Sequence, residues 1–467
     1  MSNSSDTKAL KSGVWYTVSN FLLQGLAFIT TPIFTRLLTK SDFGAFSNYT
    51  AWLSIVAIVC TLEFKSSVSR AYYDFTEDFD GYLSSVTFLG TIITAAFYIV
   101  VLIFGDFFEK LLGMDMIYIN IMFLNVLFAP ALEILQAKHR IQLKYKAFVA
   151  VSIVTTLSST LLSVLLVTKL ENRLFGRIAG QALPLIIAYI IAFILVTAKG
   201  RTLYNKEYWK YAIAFSAPIV PHLLSNTLLG SSDKVMITSM VGSEANAIYS
   251  LAYSCGMIIS VLFTSMNQAW VPWLFEKLHA KDHAAVSKVS GLYLIVFMIM
   301  LEGAILLAPE LMLIMGGKDY AEATVLVPPV MLGYGFKFAY TFYVNIEQYE
   351  KKTYFISVGT ITAAAINILL NLIFIPEYGY QAAAYTTLAG YIILMLLHMI
   401  FCCHILKIAG VYKNLMILLL MGLITVVGLG SQLLYENTPI RYGAIGITAA
   451  AGVAMLCKLA KKYRKLT

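Results

Sequence analysis

Apolar residues gather into fourteen long runs, at 13–36, 43–64, 83–105, 117–137, 147–168, 175–198, 209–231, 246–275, 289–309, 324–347, 354–375, 380–404, 413–434 and 440–457. Each is close to the ~20 helical residues that cross a hydrocarbon core of roughly 30 Å. The polar connections are short, the longest near 65–82. Backbone inside a bilayer must satisfy its own hydrogen bonds, so the pattern predicts an all-α membrane protein of about 14 transmembrane helices. The stretch from Asn371 to Tyr391, NLIFIPEYGYQAAAYTTLAGY, shows one run giving way to the next. Pro376 and Gly379 predict a helix stop and a tight reversal, and Glu377, Tyr378 and Tyr380 suit the membrane interface.

Composition agrees with this pattern. Of 467 residues, 59% are hydrophobic and 13% charged, and the mean hydropathy is +0.77. Soluble domains carry about 25% charged residues, so this inventory cannot build a water-facing surface.

Charge sets the orientation. Alternate connections, counted from the N-terminus, collect 24 of the 34 Lys and Arg residues; nine fall on the other side, and Lys337 lies inside a run. The bias puts both termini in the cytoplasm and supports an even number of spans. The net charge of +9 is then a consequence of topology. It calls for anionic membrane lipids beside the basic connections and for no nucleic acid. Lys8 and Lys11 precede a first run that is too long for a signal peptide and lacks a small-residue cleavage site, so it reads as a signal anchor.

The connections also limit the chemistry. A membrane enzyme that polymerises or ligates sugars usually needs a large extramembrane loop or clustered acids, and neither is present. No G-x-x-x-x-G-K-[ST] loop occurs, which argues against transport driven by nucleotide bound to this chain. His279 and His283 have helical metal-ligand spacing but sit in the charged stretch KLHAKDHAAV, where a solvated face is expected. The five cysteines, Cys60, Cys255, Cys402, Cys403 and Cys457, lie in apolar segments and read as packing residues. No catalytic residue, metal or cofactor is expected.

A weak repeat is visible. Ser41-Asp-Phe-Gly-Ala-Phe-Ser47 follows the first run, and Glu244-Ala-Asn-Ala-Ile-Tyr-Ser250 follows the seventh. Spans six apart with similar entries fit two six-helix halves, the organisation of transporters that work by alternating access.

Several motifs together resemble the Wzx-type polysaccharide flippases, relatives of the MATE exporters and the lipid II flippase. They are Thr31-Pro-Ile-Phe-Thr-Arg-Leu-Leu38 with Phe43-Gly44, Ser69-Arg-Ala-Tyr-Tyr73, Gln268-Ala-Trp-Val-Pro-Trp273 and Gly316-Gly-Lys-Asp-Tyr-Ala321. Asn367, Asn371, Pro376, Gly379 and Ala382 to Ala384 complete the set. The resemblance implies two lobes in a V around a polar cavity, residues 1–204 holding helices one to six and 205–408 holding seven to twelve. Residues 409–467 would form two peripheral helices and a basic tail. It further implies a flippase in the bacterial cytoplasmic membrane that moves undecaprenyl-diphosphate-linked oligosaccharide for O antigen, capsule or exopolysaccharide. Polymerase and chain-length proteins would be its partners.

Candidate cavity residues follow from the cost of placing polar groups in a span. In the seventh run His222, Asn226 and Asp233 share a helix face, with Pro218 and Pro221 predicting a bend ahead of them. Lys337, Thr341 and Gln348 share a face of the tenth run beside Tyr334; Glu302 lies in the ninth, and Glu133 and Gln136 near the cytoplasmic end of the fourth. A diphosphate needs cations, which favours Arg36, Arg70 and Lys337 as substrate-binding groups, with His222 and Asn226 alongside. Asp233 and Glu302 are candidates for a coupling ion. Interface anchoring is the competing reading for Arg36 and Arg70, packing for His222, and snorkelling for Asp233 next to Lys234. A cation-coupled drug exporter of the MATE type is the main alternative function, and a glycan polymerase or ligase the lesser one.

Overall fold

The structure is a computed structural model that describes residue 25 and residues 28–463 except 409. Most of the first run, 13–36, lies outside the described residues; its final part, 28–37, is helical. Each later run corresponds to a helix: α1 Lys40–Thr61, α2 Phe79–Ile103, α3 Met116–Ile141, α4 Tyr145–Lys169, α5 Arg173–Gly200, the pair α6 Lys206–Ser216 and α7 Val220–Met240, α8 Ser243–His279, α9 His283–Leu306, α10 Val327–Tyr349, α11 Thr353–Tyr378, α12 Gln381–Ile400, α13 Asn414–Gly430 and α14 Thr438–Tyr463. No strand occurs among the described residues. Among the described residues ten helices are long and apolar enough to cross a membrane, or up to 11 if α6 and α7 are one span. Fourteen is reached only by adding the first run, α10 and α14. α10 fails on apolarity because Pro328, Pro329, Tyr334, Lys337 and Tyr340 interrupt it.

Local signals place the helix ends. Thr39 caps α1 by accepting the Asp42 N–H at 3.1 Å, and Asn172 caps α5 by accepting the Phe175 N–H at 2.9 Å. The expected stop at Pro376 is corrected: α11 carries the proline in its last turn and ends at Tyr378. A proline there removes one hydrogen bond where few remain, and the reversal is left to Gly379 at φ +70°, whose N–H reaches the Ile375 carbonyl at 2.8 Å. The break at residues 217–219, which contains Pro218 and is followed by Pro221 in the first turn of α7, bends α6 against α7 by 47°. His279 ends α8 and His283 begins α9, so the two histidines do not share a helix.

The chain forms two compact units, Met1–Ala247 and Ile248–Thr467, with the boundary inside α8. In the first unit α4 and α5 approach closely through Ser159, Ser163, Gly176 and Gly180, as small residues allow in lipid. Aromatic rings of Phe75, Tyr82, Tyr208 and Tyr211 fill one end. The two similar segments of the repeat meet here. Asn246 donates to the Gly44 carbonyl and to Thr238 Oγ1, each at 2.9 Å, and a Cβ at 44 would overlap the Ser243 carbonyl.

In the second unit α10 is buried along most of its length. Phe338 stacks on Phe297 of α9 with centroids 4.0 Å apart, and Tyr343 donates to Asn414 of α13 at 3.0 Å. The C-terminal helices are bound into this unit. Tyr435 donates to the Ile305 carbonyl at 2.9 Å, and Arg441 grips Glu310 at 2.7 and 2.5 Å.

Candidate functional site

The start of α5 presents two arginines one turn apart. Arg173 donates to the Leu37 carbonyl at 2.9 Å. Arg177 goes deeper: its guanidinium carbon lies 3.8 Å from the Phe34 ring centroid and 4.1 Å from that of Phe46. Its Nη1 donates to Ser163 Oγ at 2.9 Å, while its Nε is enclosed without a partner. Among the described residues no carboxylate pairs with it. Close by in space, Arg36 is exposed, donates to the Pro32 carbonyl at 2.7 Å, and lines a cavity of about 740 Å³ with Lys169, Glu171 and Arg173.

A different set of charges occupies the other end of α1. Lys65 sits 3.1 Å from Glu63 and 3.4 Å from Glu133; Lys138 and Lys199 both reach Asp80. Arg70 is exposed and bonds Asp74 at 3.0 Å, and Tyr211 donates to the same carboxylate oxygen at 2.7 Å. The Tyr211 and Arg70 hydrogen bonds hold the Asp74 carboxyl below its ordinary value. Burial pushes the Lys65 ammonium down, but Glu133 and Glu63 outweigh it and hold it above its ordinary value. Arg36 and Arg70 are therefore separated by the 22 residues of α1, about 33 Å of helix. The structure does not bring them to one diphosphate, which is only a few ångströms across. Charge and helix-end position grouped them in the sequence; helix length keeps them apart.

The polar face of α7 also divides. His222 is partly buried, Asn226 is exposed, and Asp233 is wholly buried where α7 packs on α1. In the second unit Lys337 is partly buried, and its ammonium lies 5.6 Å from the Tyr391 ring centroid on α12. Among the described residues it forms no ion pair. Glu302 accepts the Ser431 hydroxyl at 2.5 Å where α13 ends, and its other oxygen is buried without a partner. Lys337 and Glu302 thus have different neighbours, one facing α12 and the other the C-terminal helices.

Sequence reasoning overlooked Arg177 and a buried pair, Glu347 with His398, 2.7 Å apart. The available signal was the same for all three: an ionisable residue within or at the edge of an apolar run. Among the described residues no His, Cys, Asp and Glu group is arranged to hold a metal ion.

Comparison with known proteins places this architecture. Residues 9–278 match the family model for polysaccharide biosynthesis proteins. The Lsg locus putative protein 1 of Haemophilus influenzae is 21% identical over 283 residues, 59% of this chain and 68% of that protein. The lipid II flippase MurJ, in an inward closed conformation, is 16% identical and superposes with a TM-score of 0.70 over 97% of this chain and 99% of its own. A point mutant of the Vibrio cholerae MATE transporter VcmN is 14% identical, with a TM-score of 0.57 over 87% and 98%. The family match covers more than half of the chain, and the apolar helices and the shared fold agree with it: this chain is a multi-pass membrane protein of the polysaccharide biosynthesis protein family, with the fold seen in MurJ and the MATE transporter.

Proposed function

We propose that the cargo is a lipid-linked oligosaccharide, carried on undecaprenyl diphosphate and moved by alternating access across the bacterial cytoplasmic membrane for surface polysaccharide synthesis. One observation carries this reading: each unit holds, inside a helix, a cation set over aromatic side chains and, among the described residues, paired with no carboxylate. Arg177 lies over the rings of Phe34 and Phe46, and Lys337 lies over that of Tyr391. Cations in low dielectric normally take an anionic partner. A pair of phosphates supplies one, and the rings hold each cation without cancelling its charge. Arg70 fits the role less well because Asp74 already engages it.

The remaining parts of the reading follow. Residues 1–204 and 205–408 act as the two moving halves, with 409–467 accessory to them. Both termini face the cytoplasm, as the Lys and Arg bias supports. Asp233 and Glu302 bind the coupling ion, and His222 and Asn226 contact sugar. Polymerase and chain-length proteins receive the product.

The test is complementation of a strain deleted for this chain. Removing one charge-assisted contact costs about 1.5–3 kcal/mol, roughly ten- to a hundredfold in binding. Lys337→Ala should lose surface glycan and accumulate lipid-linked units at normal protein abundance, and Lys337→Arg should recover part of the display. Wild-type glycan from Lys337→Ala would remove the cation from the mechanism. The double variant Asp233→Asn with Glu302→Gln should lose its dependence on the ion gradient; unchanged dependence would exclude both as coupling groups. A reporter fused at Ser243 should read periplasmic, and a cytoplasmic reading would overturn the orientation.

A further inference from the structure

Glu347 on α10 and His398 on α12 meet in the interior of the second unit. Glu347 Oε1 lies 2.7 Å from His398 Nδ1, and both side chains are 0% exposed. Each keeps a second polar atom, Glu347 Oε2 and His398 Nε2, that is buried without a partner. The surroundings are shaped to the pair. Gly359 of α11 backs onto the imidazole, and a Cβ there would overlap Nε2. The Tyr340 ring meets the imidazole edge to face at 4.9 Å. Just after His398 the chain passes into a π-helical turn, Phe401–Ile405, which sets Cys402 Sγ 3.8 Å from Glu347 Oε1. Such turns are rare and recur at functional sites. The other titratable groups nearby are Tyr343, Cys403 and Tyr412. None is a cation, and Lys337, further along α10, turns to Tyr391.

Proton counting narrows the state of the pair. Without a proton to share, the carboxylate and imidazole carry a net negative charge in a site with no cation, a costly arrangement. With one added proton the pair is neutral overall. Imidazolium with carboxylate would leave a charged N–H and a charged oxygen unpaired, whereas the neutral acid with neutral imidazole leaves only a carbonyl oxygen and a neutral N–H. Unpaired neutral groups cost less than unpaired charges. The Glu347 carboxyl then donates through Oε1 to His398 Nδ1, and the ring hydrogen sits on Nε2 against Gly359.

We propose that Glu347 and His398 form a proton-binding site in the second unit, closed by α10, α11 and the π-helical turn, that releases its proton when these helices part and admit water. On the transporter reading, on which this role in turnover rests, the site couples opening of this unit to the proton gradient. It is distinct from Asp233 and Glu302.

Infrared spectroscopy of the full-length protein in lipid nanodiscs tests occupancy without any cargo. Near neutral pH the wild type is expected to show a buried carboxylic-acid C=O band that Glu347→Gln lacks and that moves when His398→Gln alters the acceptor. Glutamine at 347 imitates the protonated acid, because its amide can donate to Nδ1 but cannot release a proton. Glu347→Gln should therefore keep its abundance while surface-glycan display falls roughly ten- to a hundredfold, the usual size of a coupling free energy. A purely packing role would leave display unchanged. Absence of the band, or full display from Glu347→Gln at normal abundance, overturns the proposal. If Glu347→Gln accumulates poorly, the wild-type band decides: a band indifferent to His398→Gln also overturns it. Undiminished surface glycan in the strain deleted for this chain would refute the flippase reading instead, a result the infrared measurement does not depend on.

Discussion

Replacing Arg177 by methionine separates a cargo-binding cation from a packing residue. In the wild type the guanidinium lies 3.8 and 4.1 Å from two ring centroids. A desolvated cation over a ring is worth about 1–2 kcal/mol, so two such contacts give about 2–4 kcal/mol. The bond from Nη1 to Ser163 adds about 1.5–3 kcal/mol. Against this stands the desolvation of a charge with no carboxylate and an unpartnered Nε, a penalty of several kcal/mol. The terms nearly cancel. Methionine fills the space between the rings and keeps favourable sulfur–aromatic contacts, so the stability of Arg177→Met should stay within about 2 kcal/mol of wild type. On the proposed reading its function should not survive, because a phosphate contact worth about 1.5–3 kcal/mol would be gone. The assay pairs thermal unfolding of the detergent-purified full chain with glycan display from the same variant in cells. Arg177→Lys keeps the charge but loses the planar stack, and should display an intermediate amount. Two results would refute the reasoning: wild-type display from Arg177→Met, or a collapse of its abundance that Arg177→Lys does not share. The first removes the cation from transport, and the second makes it a structural charge.

Two further expectations concern the frame around these sites. Gly44→Ala places a methyl group against the Ser243 backbone carbonyl, which cannot rotate away. It should lower thermal stability by about 1–3 kcal/mol, the usual cost of overpacking, and an unchanged melting temperature would show that α1 and α8 slide freely there. Burial pushes the Glu310 carboxyl up, but the hydrogen bonds from Arg441 and Tyr442 outweigh it and hold it below its ordinary value. Its contribution is therefore complete above the ordinary carboxylate value near ~4.3 and fades as pH falls through the lowered one. Stability measured from neutral to strongly acidic pH should fall more in the wild type than in Glu310→Gln, and parallel curves would rule out this ion pair as the anchor of α14.

What the sequence decided by itself was decided by local rules. Apolar length against bilayer thickness specifies helices one at a time, which is why every run in the described residues is helical, the seventh as a bent pair. Pro218 and Pro221 announced the bend before α7 because proline acts on its own turn. The weak resemblance between Ser41–Ser47 and Glu244–Ser250 reads in the sequence only as a repeat; that Asn246 donates to the Gly44 carbonyl is a contact of the tertiary structure. Only the tertiary structure could decide which charges are neighbours. Arg36 and Arg70 look alike as helix-end cations, yet a helix of 22 residues separates them and Asp74 engages one of them. Arg177 is one more basic residue in the sequence, and only the fold sets its guanidinium over the rings of Phe34 and Phe46. Glu347 and His398 are 51 residues apart in the chain and 2.7 Å apart in space. In a helical membrane protein most apolar residue types satisfy the lipid-facing pattern about equally well, and polar ones do not. Local pattern therefore dictates that a polar group must find a partner, while the packing of distant helices determines which partner it finds.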